Sequence, residues 1–264
     1  MLSALSIDRL RKQERLLLLG GICAVTALTW GYMAHEARTM NMTGVCRCAG
    51  MKMSGPDLQP WSKDELLPLF LMWSEMMVAM MLPSATPMIL TFAAVNRKRA
   101  ELARPFTSTI VFLSGYLLVW VAFSAIATVA QWILHSFSLL SSMMVSTSAT
   151  LGAALLIAAG IFQWTPFKQS CLAHCSNPLG LLMNDWREGN RGALTMGLRH
   201  GVYCTGCCWL LMLLLFVTGV MNVWWIAILS VFVLLENALP RGNALGKVAG
   251  LALIIWGIWM LLKH

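Results

Sequence analysis

Apolar residues gather into seven long runs separated by short polar segments. The pattern predicts helices over residues 16–34, 66–95, 107–134, 145–164, 193–218, 221–239 and 245–262. An apolar stretch of about 20 residues crosses a bilayer as a helix, because only then does the segment satisfy its own backbone polar groups. The expected fold class is therefore all-α: a polytopic transmembrane helical bundle of about seven helices, one transmembrane domain over 1–264. The second run is too long for a straight span, so Pro83 and Pro87 are expected to break or kink it. Thr218, Gly219 and Asn222 leave only a short turn between the fifth and sixth runs, which predicts a tight hairpin. The first run follows Arg9, Arg11, Lys12 and Arg15 and looks like the charged and apolar parts of a signal peptide. Its length and the lack of a clear small-x-small cleavage site favour a retained helix.

Composition agrees with this reading. The chain is 58% hydrophobic and only 11% charged, against about 25% charged residues in a soluble domain. The net charge of +8 then reports basic cytoplasmic loops rather than a nucleic-acid footprint. Basic residues cluster at the N-terminus, at Arg97, Lys98, Arg99 and Arg104, at Lys168, Arg187 and Arg191, and at Arg241 and Lys247. In a seven-helix chain these all fall on one side. The positive-inside rule makes that side cytoplasmic, with the N-terminus inside and the C-terminus outside.

Sulfur is concentrated at three places. The expected outer loop, 35–65, holds His35, Met40, Met42, Cys46, Cys48, Met51 and Met53, with Met33 just inside the membrane. Thioethers and thiolates are soft ligands that suit Cu(I). The loop reads as a capture site, as a Cys46–Cys48 disulfide, or as an irregular segment whose sticky side chains rest on the helices.

On the second helix Met72, Met76 and Met80 recur every four residues and share a stripe; Met77, Met81 and Met88 form another. Methionine at this spacing is ordinary core packing. Glu75 changes the picture, since a carboxylate inside a membrane is costly and is functional by default. It can relay protons, balance a cation or pair with a buried donor such as His200.

The third cluster is expected on the inner side. Cys171, His174 and Cys175 fall in a loop spanning 165–192. On the fifth helix Met196, His200, Cys204, Cys208 and Met212 follow at intervals of four, with Cys207 on the same face. Buried cysteines can simply be small apolar side chains, as Cys23 alone in the first helix illustrates. Three cysteines within five residues, facing a Cys-x-x-His-Cys segment, fit a site for copper, or for zinc, better than packing. Glu236, near the inner end of the sixth helix, either orients His200 or lies at the interface in water.

Trp73, Met76, Ala79, Met80, Met81, Pro83 and Pro87, then Gln163, Thr165, Pro166, Lys168, Cys171, Cys175 and Pro178, then Gly197, Gly201, Cys204, Gly206, Cys207, Cys208, Trp209, Met212, Gly219, Met221 and Asn222 form a pattern. It resembles a bacterial family of predicted metal-binding integral membrane proteins labelled copper chaperones. The resemblance runs from about Trp73 to Glu236 and implies metal binding. Phe162 stands where that pattern leads one to expect tyrosine, and the stretch CRCAGMKM lies outside it.

The functional expectation is a membrane protein that binds a soft metal, foremost copper as Cu(I), for delivery or translocation. Its partners would be the lipid bilayer and a metalloenzyme or metal-chaperone protein. An accessory subunit or assembly factor of a larger membrane metalloenzyme is a second reading. A thiol oxidoreductase using Cys46/Cys48 or the Cys204-x-x-Cys207 spacing is a third. No phosphate-binding loop marks an ATPase, and no Ser-His-Asp or paired-carboxylate arrangement marks a hydrolase.

Overall fold

The computed structural model describes residues 12–43, 65–101, 108–136, 149–184, 186–220, 222–239 and 241–263. Among them every regular element is a helix: α1 (Lys12–Thr43), α2 (Leu66–Glu101), α3 (Thr109–Ser136), α4 (Ala149–Phe162), α5 (Pro166–Ser176), α6 (Pro178–Asn184), α7 (Gly189–Leu213), α8 (Leu215–Thr218), α9 (Val223–Ala238) and α10 (Gly242–Leu262). Five segments are long and apolar enough to cross a membrane. A sixth arises if α4 and α5, bent by 65° at their junction, count as one span. The sixth of the seven expected helices is α9, whose 16 residues fall short of the roughly 20 that a bilayer requires.

Helix α2 is the axis of the bundle. Both of its methionine stripes are buried, and α1, α3, α6 and α9 pack on it. It runs unbroken through Pro83 and Pro87. Proline at 83 removes the N–H that would bond the Ala79 carbonyl. Trp30 on α1 donates its indole N–H to that carbonyl at 3.2 Å. The next two carbonyls are also bonded from outside the helix: Met80 accepts from Ser230 of α9 at 3.2 Å, and Met81 accepts from Tyr116 of α3 at 3.1 Å. Three neighbouring helices thus hold the backbone where proline disturbs it, which is how apolar bundles tolerate internal proline.

Two helix pairs approach closely through glycine. A side chain added at Gly197 of α7 would strike the Phe112 backbone of α3, and one at Gly201 would lie 2.9 Å from Val119. On the far side, a Cβ at Gly250 of α10 would come within 2.7 Å of the Gly160 carbonyl of α4. Small residues let helix backbones touch where no hydrophobic driving force pulls them together.

The turn between α8 and α9 forms as expected. Gly219 adopts φ +97° and the Asn222 side chain caps α9 by accepting from the Trp225 N–H at 3.4 Å. The tight hairpin does not follow, because α9 leans mainly on α2 rather than α7. Three of the expected basic segments meet. Arg97 pairs with Glu14, and Arg99 reaches Glu188 at 2.7 Å and covers the Trp186 ring.

Candidate metal centre

The segment 165–192, expected as a loop, is instead mostly helical. Thr165 caps α5, its hydroxyl accepting from the Lys168 N–H at 3.3 Å, and Pro166 occupies the first helical turn. Proline there loses nothing, since the first N–H groups of a helix have no internal partner. The sharp bend to α4 lays α5 against α7. Its buried side chains are Lys168, Cys171, Leu172 and Cys175, spaced so that they share one face.

Helix α7 buries Met196, His200, Cys204, Cys207, Cys208 and Met212 on the opposing face. The two helices bring thiols together. Cys175 comes within electrostatic reach of Cys204 and Cys207, and Cys208 of the same two. Cys207 and Cys208 also direct their thiols to the Cys204 carbonyl, each at 3.0 Å. Cys171 joins from the side, within electrostatic reach of Cys207. Its sulfur is accommodated by Gly206, where an added Cβ would stand 3.0 Å from it. The six described cysteines are all free.

His200 lies one helical turn before Cys204. It stacks on Tyr116 with ring centroids 5.4 Å apart and on Phe112 at 6.3 Å. Its Nδ1 is buried and has no hydrogen-bond partner among the described residues. A buried imidazole nitrogen normally finds one. Tyr116, which the sequence did not single out, places its hydroxyl 3.5 Å from the Cys204 sulfur.

Other expected site residues lie elsewhere. His174 is half-buried. It stacks on Tyr203 of α7 at 4.3 Å, and its Nδ1 lies 2.8 Å from the Ser170 carbonyl. Glu236 is buried, not in water, and its partner is not His200. Its Oε1 accepts from Lys168 Nζ at 2.5 Å, and Gln163 accepts from the same ammonium. Lys168 is therefore no cytoplasmic loop charge. It is 1% exposed. Glu75 is half-buried on α2 and interacts with Glu36 of α1 rather than with His200. Met72, Met76 and Met80 are core residues. Helix α1 continues to Thr43, so the first residues of the expected outer loop are helical. Cys46, Cys48, Met51 and Met53, and the side chains of Met40 and Met42, lie outside the described residues.

Among the described residues, no group of three or more His, Cys, Asp or Glu side chains is already arranged to hold a metal ion. Thiol and imidazole donors are the kind of side chain that suits a soft cation.

The fold and the site define an apolar helical bundle, with helices long enough to span a membrane and a thiol cluster buried at its centre. The chain belongs to the PpoB2 copper chaperone family, whose family model matches residues 70–260. That match covers α2 to α10 and includes every cysteine of the cluster, and it supports copper handling in general terms. No curated protein and no solved structure matches the chain.

Proposed function

We propose that this chain is a membrane protein that takes up copper as Cu(I) and holds it, for delivery or translocation, at a centre formed by Cys175, Cys204, Cys207 and Cys208 with His200 beside them. The burial of Cys175 on α5 and of Cys204, Cys207 and Cys208 on the α7 face packed against it carries the reading. Cu(I) favours sulfur and tolerates two or three ligands. Small side-chain rotations therefore suffice where tetrahedral zinc would need a fuller cage. Binding would replace thiol protons, so copper affinity should rise with pH. Cys171 and Met212 flank the centre and are candidate further ligands; His174 is directed towards Tyr203.

In this reading the 35–65 segment, with Cys46, Cys48, Met51 and Met53, collects copper on the outer side of a bacterial inner membrane. Met72, Met76 and Met80, with Glu75, line the approach along α2. The N-terminus faces the cytoplasm, and a metalloenzyme or metal-chaperone protein receives the ion.

The test is elemental analysis of the purified protein under reducing conditions, beside a Cys204→Ser/Cys207→Ser/Cys208→Ser variant. Wild type should retain copper and the variant should lose most of it while remaining folded, since Ser differs little in volume from Cys. A wild type that retains no copper, or a variant with the full parental content, defeats the proposal.

A further inference from the structure

Helices α9 and α10 follow one another in the chain but part from one another in the fold. Helix α9 leans on α2, and α10 packs chiefly on α4. The gap between them holds an apolar cavity of about 190 Å³. Leu156 of α4, Leu211 and Leu214 at the end of α7, and Leu229 of α9 form its buried floor. Its mouth lies between Ile228 of α9, which is 52% exposed, and the exposed Ala252 of α10. The Thr218 hydroxyl on its wall is turned to the Leu214 carbonyl at 3.3 Å. A cavity of roughly 150 Å³ with an apolar lining stays free of water and takes a six-carbon ring.

Towards the C-terminus of α10 the cavity ends at Trp225 and Trp256, stacked with ring centroids 5.5 Å apart. The same two rings line a second cavity, of about 380 Å³, that reaches Trp259 and Lys263. The Lys263 ammonium covers the Trp259 ring, 4.9 Å from its centroid. Trp224, 81% exposed, adds another indole at this end of α9. Tryptophan gathers where acyl chains give way to headgroups, and a lysine at a helix end extends its charge to that level. From Trp256 back to Ala249 the first cavity follows α10 for about 10 Å. That depth lies within the roughly 15 Å of hydrocarbon in one leaflet. The acidic residue of α9, Glu236, is at the other end of its helix, paired with Lys168 where Gly246 leaves room.

We propose that this groove binds one anionic phospholipid of the surrounding bilayer, with an acyl chain in the α9/α10 cavity and the headgroup phosphate at Lys263. The order of chemistry along the groove is that of the lipid: an apolar recess, then indole rings, then a cation. Left empty, the floor would forgo its dispersion contacts. An acyl chain supplies them and needs no hydrogen-bond partner. A helix of a second copy is about 10 Å across even without long side chains, too thick for a recess of 190 Å³. The site rests on the bundle lying in a membrane and is independent of the copper reading.

Native mass spectrometry of the detergent-purified chain, titrated with phosphatidylglycerol or phosphatidylcholine of the same acyl chains, tests the site. Wild type should bind one phosphatidylglycerol about fivefold more tightly than phosphatidylcholine, the contribution of one lysine near a headgroup. Lys263→Gln should abolish that preference. Lys98→Gln, which removes an exposed charge on α2, should leave it intact. Ala249→Leu/Ala252→Leu fills the cavity and should weaken phosphatidylglycerol binding roughly tenfold or more, as two or more methylenes lose their buried place. Should that variant fail to fold, Ile228→Trp narrows the mouth and should have the same effect. Undiminished binding to a folded, filled variant overturns the proposal. So does a preference that survives Lys263→Gln or vanishes in Lys98→Gln. A wild type that is dimeric without lipid, beside a filled variant that is monomeric, makes a second copy the occupant and overturns it too.

Discussion

The hydroxyl of Tyr116 bridges two elements: it donates to the Met81 carbonyl of α2 at 3.1 Å and lies 3.5 Å from the Cys204 sulfur of α7. One side chain on α3 thereby ties the proline-disturbed part of the central helix to the thiol cluster. His200 is stacked on the same ring, so Tyr116 sets the position of both a thiol and an imidazole without being a soft ligand itself.

Tyr116→Phe should therefore act on stability more than on metal content. The Met81 carbonyl still accepts from Ser84 Oγ at 2.8 Å, so no buried acceptor is orphaned. The loss should be about 1 kcal/mol, the net worth of an ordinary hydrogen bond. It should be read as a lower thermal midpoint in detergent, with copper stoichiometry unchanged. A variant that loses its copper but keeps its midpoint would make Tyr116 part of the site itself.

The helices and the thiol face of α7 were legible in the sequence because both depend on local spacing. Hydropathy runs mark the spans, and the four-residue recurrence of His200, Cys204, Cys208 and Met212 marks a face. Helix α5 was misread as loop because residues 165–176 are too polar to register as a span. Its signals were nonetheless present: Thr165–Pro166 is a helix start, and Lys168, Cys171 and Cys175 stand at i, i+3 and i+7. Glu236, the partner of Lys168, could not be found this way. It lies 68 positions further on, and the pairing depends on the bend between α4 and α5 and on the space left by Gly246. Tyr116 was hidden for the same reason, since nothing local links position 116 to 81 or 204.

Glu75 of α2 lies within electrostatic reach of Glu36 of α1. Glu75→Gln removes both that repulsion and the burden of holding a carboxylate among apolar helices. Folding should hold, with stability within about 0.5 kcal/mol of wild type or above it. If the carboxylate attracts or relays the cation along α2, copper loading of intact cells should fall while loading of detergent-purified protein with excess Cu(I) should not. Wild-type loading in cells would leave Glu75 a packing residue.

The Ala79 carbonyl, released by Pro83 and recovered by the Trp30 indole, offers a double-mutant test of how α2 survives its prolines. Trp30→Phe keeps most of the ring surface but removes the N–H donor. A buried carbonyl without a partner costs about 1–3 kcal/mol, so the single variant should be destabilised by that order. Pro83→Ala restores an N–H at position 83 that can bond Ala79 within the helix. In the Pro83→Ala background the same Trp30→Phe change should therefore cost markedly less, and the two substitutions should be non-additive by about 1 kcal/mol. Denaturant unfolding of the four proteins in one detergent measures the coupling. Strict additivity would mean that Trp30 holds α1 to α2 by ring packing alone, and that the freed carbonyl is satisfied by other means.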